Sequence, residues 1–245
     1  MPKVKPLKQR FNTPRQKENY VTNLFSSIND NYDFMNRVMS LGQDMRWRRK
    51  AIRLASFSSE SLLLDVAAGT GDMTLAALKV NPGIKIVGLD FCKPLLLQAQ
   101  AKIEKRNGFF PVDWIAGNGL QLPFKNESFN GAFTGFSLRN VVDVKKLFSE
   151  LRRITKPGGK VVSLEMMKQK KSVLKPIFSI YFRRIIPLLG RWFTSHADAY
   201  SYLPLSIENF YSADELTEVI FSAGWKNVCF KPIMFGTVAI HVAKK

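Results

Sequence analysis

Leu62–Leu75 reads LLLDVAAGTGDMTL. An apolar run reaches Asp65, a glycine pair follows, and a mixed apolar stretch leaves from Asp72. The pattern is a buried strand entering a glycine turn and continuing as a helix, the layout of a nucleotide-binding loop. It is not a P-loop, because no Gly-Lys-Ser/Thr follows. It is also a poor dinucleotide fingerprint, because Thr74 stands where the third glycine belongs. The charges say more. Asp65 and Asp72 flank Gly69, Thr70 and Gly71, and two carboxylates beside the turn would repel a pyrophosphate. They favour a ligand carrying an ammonium and a sulfonium. Asp90 ends the next apolar run, KIVGLD, where an acid can take both ribose hydroxyls. Together these features fit S-adenosylmethionine better than NAD. A tight strand–helix turn with solvent-facing acids is the plainer alternative.

Outward from this stretch, strands alternate with helices. TLAALKV is helical and stops at Asn81-Pro82-Gly83. KIVGLD is a strand, and Lys93–Lys105 a helix. VDWIAG, FNGAFTGF and GKVVSLEM are further strands. The helix between the last two spans Val144–Ile154, and the KPGG that follows is expected to stop it and turn the chain. A helix near Ala213–Ala223 precedes two strand runs, NVCFKPI and TVAIHVA. The pattern predicts an α/β fold: a doubly wound, mostly parallel, seven-stranded Rossmann-like sheet with helices on both faces. The last two strands are joined too tightly around Met234–Gly236 for a parallel pair, so an antiparallel strand belongs at or near one edge. Residues 1–15 read as a basic, flexible start, and 16–245 as one domain. Within it, 16–57 form a helical lid or cap, and 168–210 a helical insertion on the substrate side.

The third strand leads into IAGNGLQLPF. Asn118 can hydrogen-bond an adenine edge, and Leu122-Pro123-Phe124 can wall the base; an ordinary Asn118-Gly119 turn is the alternative. The chain of 245 residues carries 37 Lys and Arg against 19 Asp and Glu, a net charge of +18. That balance suggests an anionic partner such as nucleic acid or an anionic membrane surface, or simply a soluble basic surface. Two cysteines and two histidines make a disulfide framework or a metal cage improbable, so no metal is expected. Neither a signal peptide nor an apolar run of transmembrane length is visible. The reading is a soluble cytoplasmic protein that can sit peripherally on the inner face of a membrane.

Taken in order, FSSINDNYDFMNRVMSLGQDMRWRRKAI, LDVAAGTGD, GNGLQLPF, FSLRNVVD, KPGGKVVSLEM and ADAYSYLPLSI resemble the ubiquinone/menaquinone biosynthesis C-methyltransferase family over residues 18–243. YDFMNRVMS and LRNV are the specific part; GTGD and KPGG occur in many class I methyltransferases. The resemblance implies methyl transfer from S-adenosylmethionine to a ring carbon of a prenylated benzoquinol or naphthoquinol, with demethylmenaquinol to menaquinol the usual bacterial case. It carries the cofactor role to Thr70, Asp90 and the Asn118-Gly119 pair. The chain departs from the family at Ser137 and Gly119, where glycine and alanine are usual, and at His196, where an acid is common.

Ring methylation needs an electron-rich carbon, which a quinol provides once a hydroxyl loses its proton. Arg139 is the first candidate to steady that phenolate, oriented by Asn140; a surface salt bridge or helix cap is its alternative. Phe136, Tyr200 and Tyr202 are candidates for the substrate wall, with Tyr200 also a catalytic candidate; core packing is the alternative for the tyrosines. His196 can act as a general base or be an exposed loop residue, whereas His241, in mid-strand, reads as structural. Tyr32 and Asp33 can close over the cofactor as a lid. Lys168–Phe193 holds seven Lys and Arg, no acid, and many large apolar residues. Such a segment can lie on a membrane or cap the site. A homodimer or quinone-pathway partners are left open. A nucleic-acid methyltransferase is disfavoured, because FTGFSL replaces an NPPY-like motif and no Pro-Cys nucleophile is present. A methyltransferase for a small aromatic and a non-catalytic cofactor-binding scaffold are also compatible with the glycine turn and its acids.

Overall fold

The computed structural model describes residues 13–27, 32–106, 111–169 and 197–245. Three helices come first: α1 (Pro14–Ser27), α2 (Tyr32–Met39) and α3 (Asp44–Ala55). Consecutive left-handed residues, Leu41 and Gly42, break α2 from α3. There follow β1 (Leu62–Val66), α4 (Asp72–Val80), β2 (Lys85–Asp90), α5 (Lys93–Glu104), β3 (Val112–Ala116) and β4 (Phe129–Gly135). A single 3-10 turn, Leu138–Asn140, leads to α6 (Val144–Ile154) and β5 (Thr155–Met166). The chain ends with α7 (Ala197–Glu208), α8 (Ala213–Ser222), β6 (Lys226–Ile233) and β7 (Val238–Lys244), the last two joined by a 3-10 turn at Met234–Gly236.

All seven strands form one sheet in the order β3-β2-β1-β4-β5-β7-β6. β7 runs antiparallel to both of its neighbours and lies one place in from the edge. Strand order reverses at β1, which pairs in parallel with β2 on one side and β4 on the other. Helices leave those two sides on opposite faces, so a crevice opens at the carboxyl ends of β1 and β4.

The apolar run of β1 follows from burial on both faces. Leu63 packs in one cluster with Ile52 of α3, Leu78 of α4 and Ile86. Leu64 packs in the other with Leu147 and Phe148 of α6 and Ile220 of α8. α6 puts Leu147, Phe148, Leu151 and Ile154 into the core, the spacing of an amphipathic helix. Its start is capped by Asp143, whose side chain accepts from Lys146 N at 2.8 Å. Ser212 and Glu215 form a capping box on α8.

The helix, strand and edge expectations are met apart from KPGG. α6 already ends at Ile154, and Thr155 is extended and pairs with Phe129. The next pair is Gly131 with Lys160, so Lys156–Gly159 bulge out inside β5 rather than turning the chain. Strand pairing resumes beyond them because Val161, Val162 and Leu164 are apolar and buried in the sheet. Most of the predicted insertion, residues 170–196, and most of the basic start, residues 1–12, lie outside the described residues.

His241 sits in β7 with its Nε2 2.9 Å from the carbonyl of Ala213 and its ring 5.3 Å from that of Phe230. Its Nδ1 is buried without a hydrogen-bond partner among the described residues. Burial pushes its pKa down from 6.5 to about 4. The folded chain therefore keeps His241 neutral where the unfolded chain would bind a proton. Stability falls as pH drops from 6.5 towards 4 and is untouched by this group above 6.5. Urea denaturation should show wild type losing ~1.4 kcal/mol per pH unit relative to His241→Gln inside that window. Parallel pH profiles for the two proteins would disprove the assignment.

Candidate active site

The turn after β1 is built from left-handed backbone: Ala67, Gly69 and Gly71 have φ of 55°, 55° and 76°. Gly71 must be glycine for a second reason. A Cβ there would lie 3.0 Å from both Ala99 Cβ and Trp114. Gly69 has no heavy atom within 4 Å of where its Cβ would be, so that side of the turn is open. It opens onto a cavity of about 340 Å³, within the range of small-ligand sites. The turn and the ends of β2, β3 and β4 form its walls, and Asn19, Val21 and Thr22 of α1 close it from above.

Asp90 lines this cavity. Its Oδ2 accepts from Gly69 N and its Oδ1 from Cys92 N, each at 2.8 Å. These bonds fix the carboxylate plane and leave it lone pairs for ribose hydroxyls. Burial pushes its pKa up, against the pull of those amides. Asn118 and Gly119 also line the cavity. Asn118 is exposed and its Oδ1 accepts from Leu120 N at 2.8 Å, so it makes the local turn as well as facing the site. Gly119 lies against Val66 and Leu147. Leu89, Leu95, Leu120 and Leu147 supply apolar walls for a flat base.

The other acids stand behind the turn. Asp65 is fully buried in β1, and its Oδ2 accepts from Thr74 Oγ1 at 2.6 Å. Burial pushes its pKa up to about 7, partly offset by Thr74 and by the charge of Arg48. Burial alone would also raise Asp72, but Arg48, Lys102 and Arg37 outweigh it and hold that carboxyl low. Asp72 pairs with Arg37 Nη2 at 2.8 Å and with Lys102 Nζ at 3.0 Å. Thr70 Oγ1 donates to Asp33 Oδ1 at 2.6 Å, and Asp33 also pairs with Lys102. The N-terminal helix α2 thus touches the glycine turn through Asp33. Tyr32 opens the same helix, and its side chain lies outside the described residues.

At the end of β4, Phe136 has φ of 60° and lines the cavity with Ser137 and Asn140. Arg139 is buried in the 3-10 turn and paired with the fully buried Glu165 of β5. Burial raises the Glu165 pKa, and Arg139 opposes that rise. This closed ion pair is neither the surface salt bridge nor the helix cap that the sequence allowed. Tyr202 on α7 is buried, donates to Asn140 Oδ1 at 3.1 Å, and meets the Tyr20 ring at 5.5 Å. Burial pushes its phenol up to about 12. Tyr200 lies on the same helix with its side chain outside the described residues, and His196 falls wholly outside them. Lys17 of α1 donates to the carbonyls of Arg139 and Val141, at 3.2 and 3.0 Å. Burial lowers its pKa to about 8.

Sequence reasoning missed Glu165, Lys17, Arg37, Asp44, Arg48 and Lys102. Glu165 had a signal: an acid inside the apolar run VVSLEM must find a cation when buried. Asp44 and Arg48 also had one, an i,i+4 acid–base spacing on a single helix. Lys17 and Lys102 lie on helices of mixed composition with partners distant in sequence, and the Asp72 partner of Arg37 is distant too.

The cavity fits an adenosyl cofactor on three counts: an acid held at the ribose position, apolar walls, and an open glycine edge. The sequence pattern of the ubiE/COQ5 methyltransferase family matches residues 13–245. The demethylmenaquinone methyltransferase of Roseiflexus castenholzii is 38% identical over 232 residues, covering 95% of this chain and 96% of its own. That of Thermus thermophilus is 37% identical and covered in full, over 91% of this chain. The ubiquinone/menaquinone biosynthesis C-methyltransferase of Desulfotalea psychrophila is 36% identical over 90% of this chain and 88% of its own. Among solved structures, a methyltransferase from Thermotoga maritima superposes with a TM-score of 0.64 at 17% identity, over 91% of this chain and 99% of that one. Human N-acetylserotonin methyltransferase does so at 0.62 and 17%, over 92% and 58%. Both confirm the fold. By fold, cavity and relatives, the chain belongs to the ubiE/COQ5 methyltransferase family and is an S-adenosylmethionine-dependent methyltransferase.

Proposed function

We propose that the enzyme methylates a ring carbon of a prenylated quinol in quinone biosynthesis, demethylmenaquinol to menaquinol or the benzoquinol equivalent. The observation that carries this reading is the near full-length likeness to relatives named for demethylmenaquinone. It includes the substrate side, where Phe136, Asn140 and Tyr202 stand beside the cofactor cavity. When bound, S-adenosylmethionine supplies a methyl group on a positively charged sulfur. Asp90, Gly69, Thr70, Gly71, Asn118 and Gly119 are the residues assigned to hold it, with Asp65 behind them.

The chain's own part is to hold the ring, exclude water and steady a negative oxygen. Tyr202 stays a phenol at any working pH and donates to Asn140 Oδ1. The Asn140 amide nitrogen is then the donor left for a quinol oxygen. Arg139 adds positive charge beside it, held in place by Glu165. His196 and Tyr200 are retained as candidates for moving the ring or hydroxyl proton. In this reading α1–α3 are the lid over the cofactor, and residues 168–210 form the substrate side.

We also assign Lys168–Phe193 to an anionic bilayer, where a prenylated quinol is dissolved. Almost all of that segment lies outside the described residues, and the assignment rests on its sequence. Among the described residues no helix is long and apolar enough to cross a membrane. Basic residues near an anionic surface contribute ~1 kcal/mol each, and large apolar side chains add to that.

Three outcomes test the proposal. Labelled methyl should pass from S-adenosylmethionine to a reduced quinol and not to the oxidised quinone or to RNA, because a quinone carbon is electrophilic. Equal labelling of quinone and quinol would rule the mechanism out. Arg139→Met alone should destabilise the fold by ~3–5 kcal/mol, since it strands a buried carboxylate. Arg139→Met with Glu165→Leu should regain most of that stability while turnover stays low; normal turnover in the double variant would make the pair purely structural. Finally, association with anionic vesicles should weaken with salt and drop when Lys170, Lys171, Arg183 and Arg184 are neutralised together. Unchanged sedimentation of that variant would confine the segment to capping the site.

A further inference from the structure

Arg48 of α3 is buried, and its position is unusual. Its guanidinium carbon lies 5.0 Å from the centre of the Phe136 ring. A Cβ on Gly135 would come 3.0 Å from Arg48 Nη1, so any larger residue at 135 would press on the guanidinium. Gly135 and Phe136 both line the cofactor cavity. The tip of Arg48 is therefore packed against two wall residues.

Its Nε is not matched. The nearest carboxylate oxygen, Asp44 Oδ2, is 3.5 Å from Nε, too long for a good hydrogen bond. Nε is buried with no hydrogen-bond partner among the described residues. Asp44 is already engaged by Arg37 and by Ser40 Oγ at 3.1 Å. Arg139 also has an Nε without a partner among the described residues, but it closes on Glu165 through Nη1, and no such close carboxylate meets Arg48. A buried guanidinium with an unmet Nε and no close carboxylate partner, packed behind a cavity wall, can take a ligand anion.

We infer that Arg48 is the anchor for the α-carboxylate of S-adenosylmethionine. The inference rests on the cofactor assignment and deepens it. That carboxylate is the cofactor's only anionic group. Position argues the same way. α3 packs against α4, the helix that leaves the glycine turn, and Arg48 is near enough to Asp65 and Asp72 for its charge to act on both. It thus stands at the glycine-turn end of the cavity. Asp90 marks the ribose and Asn118-Gly119 the base, so the amino-acid end of the cofactor falls to Arg48. A quinol oxygen, the other candidate anion, has Asn140 and Arg139 on its own side.

Calorimetry on the full chain with S-adenosylmethionine and its decarboxylated analogue tests this. Wild type should bind the complete cofactor ~10–100-fold more tightly, the worth of a charge-assisted, two-pronged contact. Arg48→Met should lose that preference while its affinity for the decarboxylated analogue stays the same, which also reports that the variant is folded. Should Arg48→Met not fold, Arg48→Lys is expected to keep the charge and part of the preference. Equal binding of the two compounds by wild type would overturn the inference. So would an undiminished preference in Arg48→Met or Arg48→Lys, or a variant whose only defect is a raised KM for quinol. Failure of wild type to bind either compound would instead bring down the cofactor assignment, and this inference with it.

Discussion

A chain of paired charges holds the N-terminal helices to the cofactor turn. Asp33 and Arg37 of α2, Asp44 of α3, Asp72 of α4 and Lys102 of α5 are linked contact by contact, and Thr70 joins through Asp33. Asp72 is the hinge of this arrangement. It is buried at the first residue of α4, where the helix amino end already favours a negative charge. Two cations from different helices then settle on it. Burying such a group is costly unless it is fully paired, so α2 and α5 must both be in place for the turn to keep its shape. Arg37 and Lys102 retain partial exposure, with side chains 35% and 24% accessible. The pairs therefore supply placement more than net stability.

Much of the fold is legible in the chain because its signals are local. LLLDV and KIVGLD are short runs, largely apolar on both faces, the pattern of interior parallel strands. The short connection at Met234–Gly236 forces an antiparallel pair, and β7 obliges. KPGG misleads because the same glycines serve two purposes. Gly158, with φ of 78°, can end a helix or sit in a bulge. The choice is made by Thr155, which is already paired with Phe129 across the sheet. That contact is tertiary and leaves no trace in the local pattern.

The site divides the same way. Gly69, Gly71 and Asp90 are readable because each is tied to backbone geometry: two left-handed turn positions, and an acid at a strand end accepting two amides. Asp65 and Asp72 look alike in sequence, yet the structure treats them differently. Asp72 faces three cations and is held ionised, whereas Asp65, sealed in β1, has its pKa pushed to about 7. Only the surroundings assembled by α2, α3 and α5 distinguish them. Arg139 was legible as a residue that matters, with a surface salt bridge as its alternative, but not as half of a buried ion pair, because Glu165 lies 26 positions away on β5.

Two arginines bracket the carboxyl end of β4, and they are wired in opposite ways. Arg139 follows the strand by four residues and is neutralised by Glu165, with a backbone amide bond to the same carboxylate. It can lend a local field without offering a free charge, which suits an oxygen that becomes negative only during reaction. Arg48 comes from the far side, over Phe136, and shares its carboxylate with Arg37. Its carboxylate contact, at 3.5 Å, is the looser one, and in the proposed reading it takes a ligand group that is negative throughout. Phe136 follows the strand directly. Its left-handed backbone turns the chain from the strand towards the 3-10 turn, and its ring gives Arg48 a face to rest on. In the proposed reading Arg48 holds a permanent anion and Arg139 steadies a transient one, both near the end of β4 that meets the cofactor cavity.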